Sequence, residues 1–350
     1  MIKWSECVVF SLSMFLAGLP QVHAQVAQWS QIPTDLRSTP SPRYGQGVVY
    51  DSNRGIVILH GGYRLGTVLS DTWEWDGQIW VKIFNSGPGR YCCGMAFDPG
   101  RNVVVLYGGY NDTEDCINRQ EYSAVTWEFD GEKWQGIHYE DDAPRTGAAL
   151  VYDPRLKCVI RHGGSKGDPA QYAILNETWK WDGVRWCKIA FGPKRAFHKM
   201  VYDSIRKAVL LFGGTDQRGS DPNDTWEFDG TNWIQAAAEG PEGRESPGFA
   251  FDESRGVAVL CGGGRLNGFI PQICLGDTWE WDGFRWTPDN SSGPGLAYVQ
   301  DMAYDSQRKR MVLFRGAGTK NPSGFLKNFQ ETWEYEVRRS GIPFLLWGNL

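Results

Sequence analysis

One spacing recurs six times along the chain and restricts what it can fold into. Tyr50-Asp51, Phe97-Asp98, Tyr152-Asp153, Tyr202-Asp203, Phe251-Asp252 and Tyr304-Asp305 each stand ten residues ahead of a glycine pair. The pairs are Gly61-Gly62, Gly108-Gly109, Gly163-Gly164, Gly213-Gly214 and Gly262-Gly263, with Arg315-Gly316 as the degenerate sixth. After a segment of variable length comes Thr-Trp, at Thr72, Thr126, Thr178, Thr225, Thr278 and Thr332. Five of these continue through Asp-Gly to a second tryptophan, Trp80, Trp134, Trp186, Trp233 or Trp286. The Asp-Gly steps supply the positive φ of a tight hairpin. The second apolar run of each unit, such as Ile56-Val57-Ile58-Leu59, shows no alternation, as expected of a strand covered on both faces. Each unit therefore predicts four short strands that bury their faces only by stacking on neighbouring units.

The glycine doublet, the spaced aromatics and the closing tryptophan, over residues 41–336, resemble the kelch repeat family. The resemblance implies an all-β fold, a six-bladed β-propeller with four antiparallel strands per blade. It leaves activity open, because one fold hosts many functions. The last unit has no Asp-Gly turn and no fourth strand after Thr332-Trp333-Glu334-Tyr335. Val26 to Ile32, with Trp29, looks like the fourth strands around Trp80 and Trp186, so the N-terminal segment is expected to complete blade six and remove its open edge. The propeller then spans 25–336, followed by a tail over 337–350.

The 350 residues hold 14% aromatics, 17 tryptophans and a net charge of -5, which excludes a disordered chain and argues against nucleic acid as a partner. Residues 1–24 read as a removed signal peptide: Lys3, an apolar run from Cys7 to Leu19 and a small-residue site at Val22-His23-Ala24. The run is short for a membrane span, so a secreted or periplasmic protein without one is expected. Seven cysteines then remain in an oxidising compartment. Cys261 with Cys274, and Cys93 (or Cys92) with Cys116, are the candidate disulfides. Cys158 and Cys187 fall on strands separated by a third, beyond disulfide reach, and are expected to be buried thiols.

In this topology the turns joining strands one to two and three to four share one face and are short. The segments after the glycine pairs, Tyr110 to Val125, Ser165 to Glu177, Gly264 to Asp277 and Ala317 to Glu331, share the other. Long loops are where binding residues accumulate. Arg43, Arg90, Arg145, Arg195 and Arg244 stand in register eight residues before the repeat aspartate, which places them on that face around the expected channel mouth. Ala297 fills the slot in blade six, where Arg315 lies at the same end and is expected to restore the charge. Two readings are open. Guanidinium forks suit carboxylates, phosphates and sulfates, and some intracellular kelch propellers grip acidic peptides with arginines on the corresponding face. Alternatively the arginines pair with the acid opening each third strand, such as Asp71, Glu177, Asp224, Asp277 or Glu331, and hold the loops.

The chemistry-bearing motifs are sparse. Gly163-Gly164-Ser165-Lys166-Gly167 matches a nucleophile pattern but lacks the strand-to-helix elbow that pattern needs. His60, His138, His162 and His198 lack metal-ligand spacing, and Asp112, Glu114 and Asp115 make an incomplete calcium set. The repeated tryptophans read as inter-blade core. The expectation is a non-catalytic binding module that presents its arginine-ringed loop face to an acidic peptide, protein or glycan, with no cofactor and no catalytic residues assigned. The alternative is a sugar-active enzyme, since kelch propellers include a periplasmic sialic-acid mutarotase and a copper-containing galactose oxidase. The sequence shows no copper ligand set. A mutarotase would need a proton-transfer carboxylate near the arginine ring; nothing in the sequence places Glu245 or Asp301 there, and neither is assigned that role.

Overall fold

A computed structural model describes residues 25–35, 37–83, 87–111, 125–138, 144–166, 173–267, 270–298, 300–320 and 326–339. The chain divides into two compact units, Ala27–Glu336 and a second made of Met1–Val26 with Val337–Leu350. The signal-peptide reading lies outside the described residues, as does most of the tail. Among the described residues no helix is long and apolar enough to cross a membrane.

The unit Ala27–Glu336 is an all-β, six-bladed propeller of four-stranded antiparallel sheets. Blade one is typical: Gly47–Asp51, Ile56–His60, Thr72–Trp75 and Trp80–Ile83 pair in chain order from the axis outward. The first strands of blades two to six are Gly94–Asp98, Ala149–Asp153, Ala196–Asp203, Gly248–Asp252 and Asp301–Asp305. In blade six the order from the axis is Asp301–Asp305, Arg310–Phe314, Thr332–Arg339 and then Gln25–Ile32, so the N-terminal strand closes the ring as expected.

Two devices, repeated around the disc, hold blade to blade. The fourth-strand tryptophan of each blade donates its indole N–H to the third-strand threonine of the preceding one. Trp80 reaches Thr332, Trp134 Thr72, Trp186 Thr126, Trp233 Thr178, Trp286 Thr225 and Trp29 Thr278, all between 2.8 and 3.0 Å. Trp29, from the far end of the sequence, makes the bond its five counterparts make. The same indoles pack on the aromatic three residues after the third-strand threonine of their own blade, as Trp80 on Trp75 at 5.4 Å and Trp29 on Tyr335 at 5.0 Å. The closing tryptophans of the repeat thus serve as inter-blade core, Trp80 and Trp186 being buried and Trp134, Trp233 and Trp286 half-buried.

The second device explains the glycine doublet. The N–H of its second glycine donates to the backbone carbonyl of the arginine slot in the next blade: Gly62 to Arg90, Gly109 to Arg145, Gly164 to Arg195 and Gly214 to Arg244. Both glycines take positive φ, 68° and 107° at Gly61 and Gly62, and a Cβ on Gly61 would collide with the Arg90 carbonyl oxygen.

On the short-turn face the repeat aspartate caps its own turn. Asp51 accepts from the backbone N–H groups of Asn53 and Arg54, while Arg54 bridges Asp51 and Glu74. Arg101 and Arg255 do the same between Asp98 and Glu128 and between Asp252 and Glu280.

Two of the long loops contain hairpins, Ser165–Lys166 paired with Ala173–Ile174 and Val257–Asn267 with Ile270–Trp281, and in blade one Tyr63–Arg64 pairs with Thr67–Val68. One expectation is corrected. Cys261 and Cys274 are free thiols and not a disulfide. Cys261 lies opposite Thr278 and Cys274 opposite Gly264, so three residues of ladder, ~10 Å of strand, separate them. Cys93 is also a free thiol, and its expected partner Cys116 lies outside the described residues. Cys158 is buried as expected, whereas Cys187 is only half-buried.

Candidate functional site on the long-loop face

The arginine slot does not line the channel. The channel holds a cavity of about 540 Å³ whose lining includes none of the six arginines. Its loop-side end includes Gly45, Cys92, Gly147, Phe197 and Ser246, two residues past the arginine slot in blades one to five. These five share a left-handed backbone, φ between 47° and 70°, and link in sequence around the axis. Cys92 N–H donates to Gly45 O, Gly147 to Cys92, Phe197 to Gly147 and Ser246 to Phe197, at 2.7 to 3.1 Å. Three of the five are not glycine, and such strain persists only where surrounding structure imposes it. Here the inter-blade hydrogen bonds impose it, and they draw the blade tops together across the axis.

The arginine side chains turn away from the channel, into the blade. Arg43, with no exposed surface, donates to both carboxylate oxygens of Asp71 at 2.6 and 2.9 Å, to Gly61 O, and to Ser41. Arg244 repeats this arrangement on Asp277 and Gly262 O. Arg195 donates to Asp224 at 2.6 Å, and Arg145 stands 3.7 Å from Glu177. In blade two the acid position is Val125, and Arg90 donates to Gly89 O. Arg315 reaches Glu331 at 2.8 Å and lies over the Phe329 ring, so it supplies blade six with the cation that Ala297 lacks. Burial alone would raise the Asp71 carboxyl, but the hydrogen bonds and charge of Arg43 outweigh it and hold the group below the usual carboxylate range. Asp277 is lowered in the same way by Arg244. The structure thus brings each quoted acid to its arginine.

One residue past the arginine slot is a second ring of equivalent positions: Tyr44, Tyr91, Thr146, Ala196, Glu245 and Tyr298. Each bridges the residue following its blade's glycine doublet, namely Tyr63, Tyr110, Ser165, Thr215, Gly264 and Ala317. On blades six, one and two these positions build a continuous arc of rings. Tyr298 and Tyr44 stack at 6.2 Å, Tyr44 and Tyr63 lie 5.4 Å apart, Tyr63 and Tyr91 5.1 Å, and Tyr91 and Tyr110 4.8 Å. Tyr44, Tyr63 and Tyr91 are half-buried. Blades three and four carry threonine, serine and alanine instead.

Glu245 is the one acid in this ring. It is 5% exposed, and among the described residues its carboxyl has no hydrogen-bonding partner. Burial, reinforced by the neighbouring Asp221, pushes it up to about 8. Asp221 is itself raised to about 6, mainly by burial, despite Arg265 3.6 Å away. Inside the channel, Lys199 of blade four reaches Asp301 of blade six at 2.7 Å, past the equivalent Gly248 of blade five. Asp301 also accepts the backbone N–H groups of Val48 and Met302, so it serves the channel wall.

The other motifs reduce to scaffold. Ser165 is buried at a hairpin root, and His162 accepts from or donates to Thr178 Oγ1 and Pro193 O at 2.9 Å each. Burial lowers His162 to about 4 and keeps it neutral. Among the described residues no group of three or more His, Cys, Asp or Glu side chains is placed to hold a metal ion, and Asp112, Glu114 and Asp115 lie outside them. The tyrosine arc was missed in the sequence, although its signal was present one residue after each arginine and directly after each glycine doublet.

The sequence matches no protein-family model, and a search of curated proteins finds no similar chain.

Proposed function

We propose that the chain is an exported propeller of the kelch type that works as a non-catalytic binding module through its long-loop face, with the arginine slot holding that face in shape. The observation that carries this reading is the tyrosine arc from Tyr298 to Tyr110. Side chains that serve the repeat recur in every blade, as the six Trp–Thr bonds do. The tyrosines occupy three adjacent blades and break the symmetry of the disc, which the scaffold does not require. Tyrosine offers a large amphipathic contact at low entropic cost and is enriched in binding surfaces. The glycine clasp and the Trp–Thr ring support the kelch reading. An acidic partner gains little from the arginines, because it would have to displace Asp71, Asp224 or Asp277 from them.

The test is binding of the protein beginning at Gln25 to arrays of peptides and glycans, beside a Tyr63→Ala/Tyr91→Ala variant. Saturable binding lost in the variant at unchanged melting temperature supports the reading. Binding that survives in a folded variant moves the site elsewhere.

A second reading, a sugar-active enzyme of the mutarotase kind, is favoured by Glu245, a carboxyl that burial brings into the range of a general acid or base at neutral pH. Its test is anomeric exchange of sialic acid followed by NMR. Acceleration that disappears in Glu245→Gln supports it, and exchange at the uncatalysed rate removes it.

A further inference from the structure

The binding-module reading leaves the chemistry of the ligand open, and the inference that follows rests on that reading. We propose that the loop-face mouth is a site for an organic cation, a primary ammonium or a guanidinium group, held between the Glu245 carboxylate and the ring faces of Tyr298 and Tyr44.

The placement comes from the repeat. Glu245 and Tyr298 occupy equivalent positions on neighbouring blades five and six. The side chain of Tyr298 packs against Gly264, the residue that Glu245 bridges, and a Cβ on Gly264 would collide with it. Tyr44, next around the ring, stacks on Tyr298. A carboxylate beside electron-rich rings is the arrangement that favours a cation, which gains both the charge pair and the ring quadrupoles.

Among the described residues no cation pairs with Glu245. The adjacent Arg244 is turned away and spent on Asp277. Arg265, on the hairpin of the same blade, is shared between Asp221 and Glu242. Lys199, on the channel side, is held by Asp301. Among the described residues the remaining titratable groups around Glu245 are Asp221 of blade four, Tyr298 and Tyr44, and the thiols of Cys274, which burial raises, and Cys92, which burial pushes up to about 12. Burial raises Tyr298 as well, so both it and Cys92 are neutral at physiological pH. The carboxyl therefore sits among neutral and acidic groups, and in the empty site it keeps a proton that a bound cation would replace.

That exchange fixes the sign of the pH dependence. A cation binds the ionised carboxylate, so its affinity rises with pH, by roughly tenfold per unit below the value of Glu245 and then levelling off above about 8. Binding releases a proton below that point. A free amine and a lysine or arginine side chain of a partner share this chemistry, and the probes separate them.

The experiment is calorimetric titration of the protein beginning at Gln25 with n-butylammonium, n-butylguanidinium and capped tripeptides centred on Lys or Arg, with butanol and butyrate as controls. It is run from pH 6 to 9 in two buffers of different ionisation enthalpy. The expected result is binding of the cations and not of the controls, with proton release, the stated pH profile, loss in Glu245→Gln and at least tenfold weakening in Tyr44→Leu. Small cations binding as tightly as the tripeptides identify a free amine, and tripeptides binding much more tightly identify a protein side chain. The proposal is overturned if cation binding persists in a folded Glu245→Gln variant, or shows no pH dependence. It also falls if no cation binds while the tyrosine-dependent array binding stands, an outcome that leaves the binding-module reading intact. If the array binding also fails to depend on the tyrosines, both readings fall together.

Discussion

At the scale of single residues, the arginine slot and Glu245 show what burial does to charge with and without a partner. Arg43 is fully buried and bidentate on Asp71, so truncating it leaves the acid without its counter-charge. Arg43→Ala should cost about 3–5 kcal/mol of unfolding free energy, measured by denaturant titration. Because Asp71 and Asp277 titrate below the unfolded value in the folded protein, their contribution is complete above the ordinary carboxylate range and is lost as pH falls through the lowered values. The urea midpoint should therefore drop on acidification below about pH 4, and Arg43→Ala should flatten that slope. Glu245 has the opposite sign. Its folded value, raised to about 8, means that keeping the proton costs stability as pH climbs above the unfolded value. Glu245→Gln should stabilise the protein at pH 7, on the order of 3 kcal/mol, and make no difference near pH 4. Equal midpoints for the two proteins at pH 7 would contradict this. The arginine register was legible in the sequence, but the direction of its side chains was not. That direction is fixed by partners far along the chain, as Arg43 is held by the Gly61 carbonyl and Asp71, and the left-handed conformation of Cys92, Phe197 and Ser246 at the channel mouth comes without the glycine that would announce it.

At the scale of elements, the N-terminal strand is the one piece of the disc that the chain must bring back from its far end. Trp29 reproduces the hydrogen bond and ring contact of the other five fourth-strand tryptophans, which is why the closure could be read from the segment around it. Removing residues 25–32 would expose the outer edge of Thr332–Arg339 and leave Thr278 without its indole donor. The truncated protein should unfold less cooperatively and self-associate, observable by calorimetry and light scattering. A monomeric truncation with the melting profile of the intact protein would count against this closure. Trp29→Phe should cost about 1 kcal/mol, a single hydrogen bond, and leave the strand in place. The hairpins above the loop face were not legible, because short pairs such as Tyr63–Arg64 with Thr67–Val68 carry no alternation long enough to mark them. The cysteine pairing failed for a related reason: a bulge beside Cys261 and a ladder continuing to Asn267 set a register that spacing alone did not reveal.

At the scale of the whole molecule, six near-identical blades make any departure from repetition informative. The Trp–Thr ring, the glycine clasp and the turn-capping aspartates follow the repeat and account for the fold. The fold was legible for that reason, since each unit states the same solution again. The tyrosine arc, Glu245 and the Lys199–Asp301 pair depart from the repeat and gather toward the axis. They were harder to read because each is a single residue whose meaning depends on its equivalents in five other blades. The central claim is that the arginines belong to the first group and the ligand site to the second. Its most direct test is thermal unfolding of Arg43→Ala, Arg195→Ala and Arg244→Ala beside the unmodified protein, with each also titrated with an acidic peptide. The account predicts melting temperatures several degrees lower in all three and no arginine-dependent affinity for the peptide. Variants that melt with the unmodified protein while losing a saturable acidic-peptide affinity would contradict it and return the arginines to the ligand site.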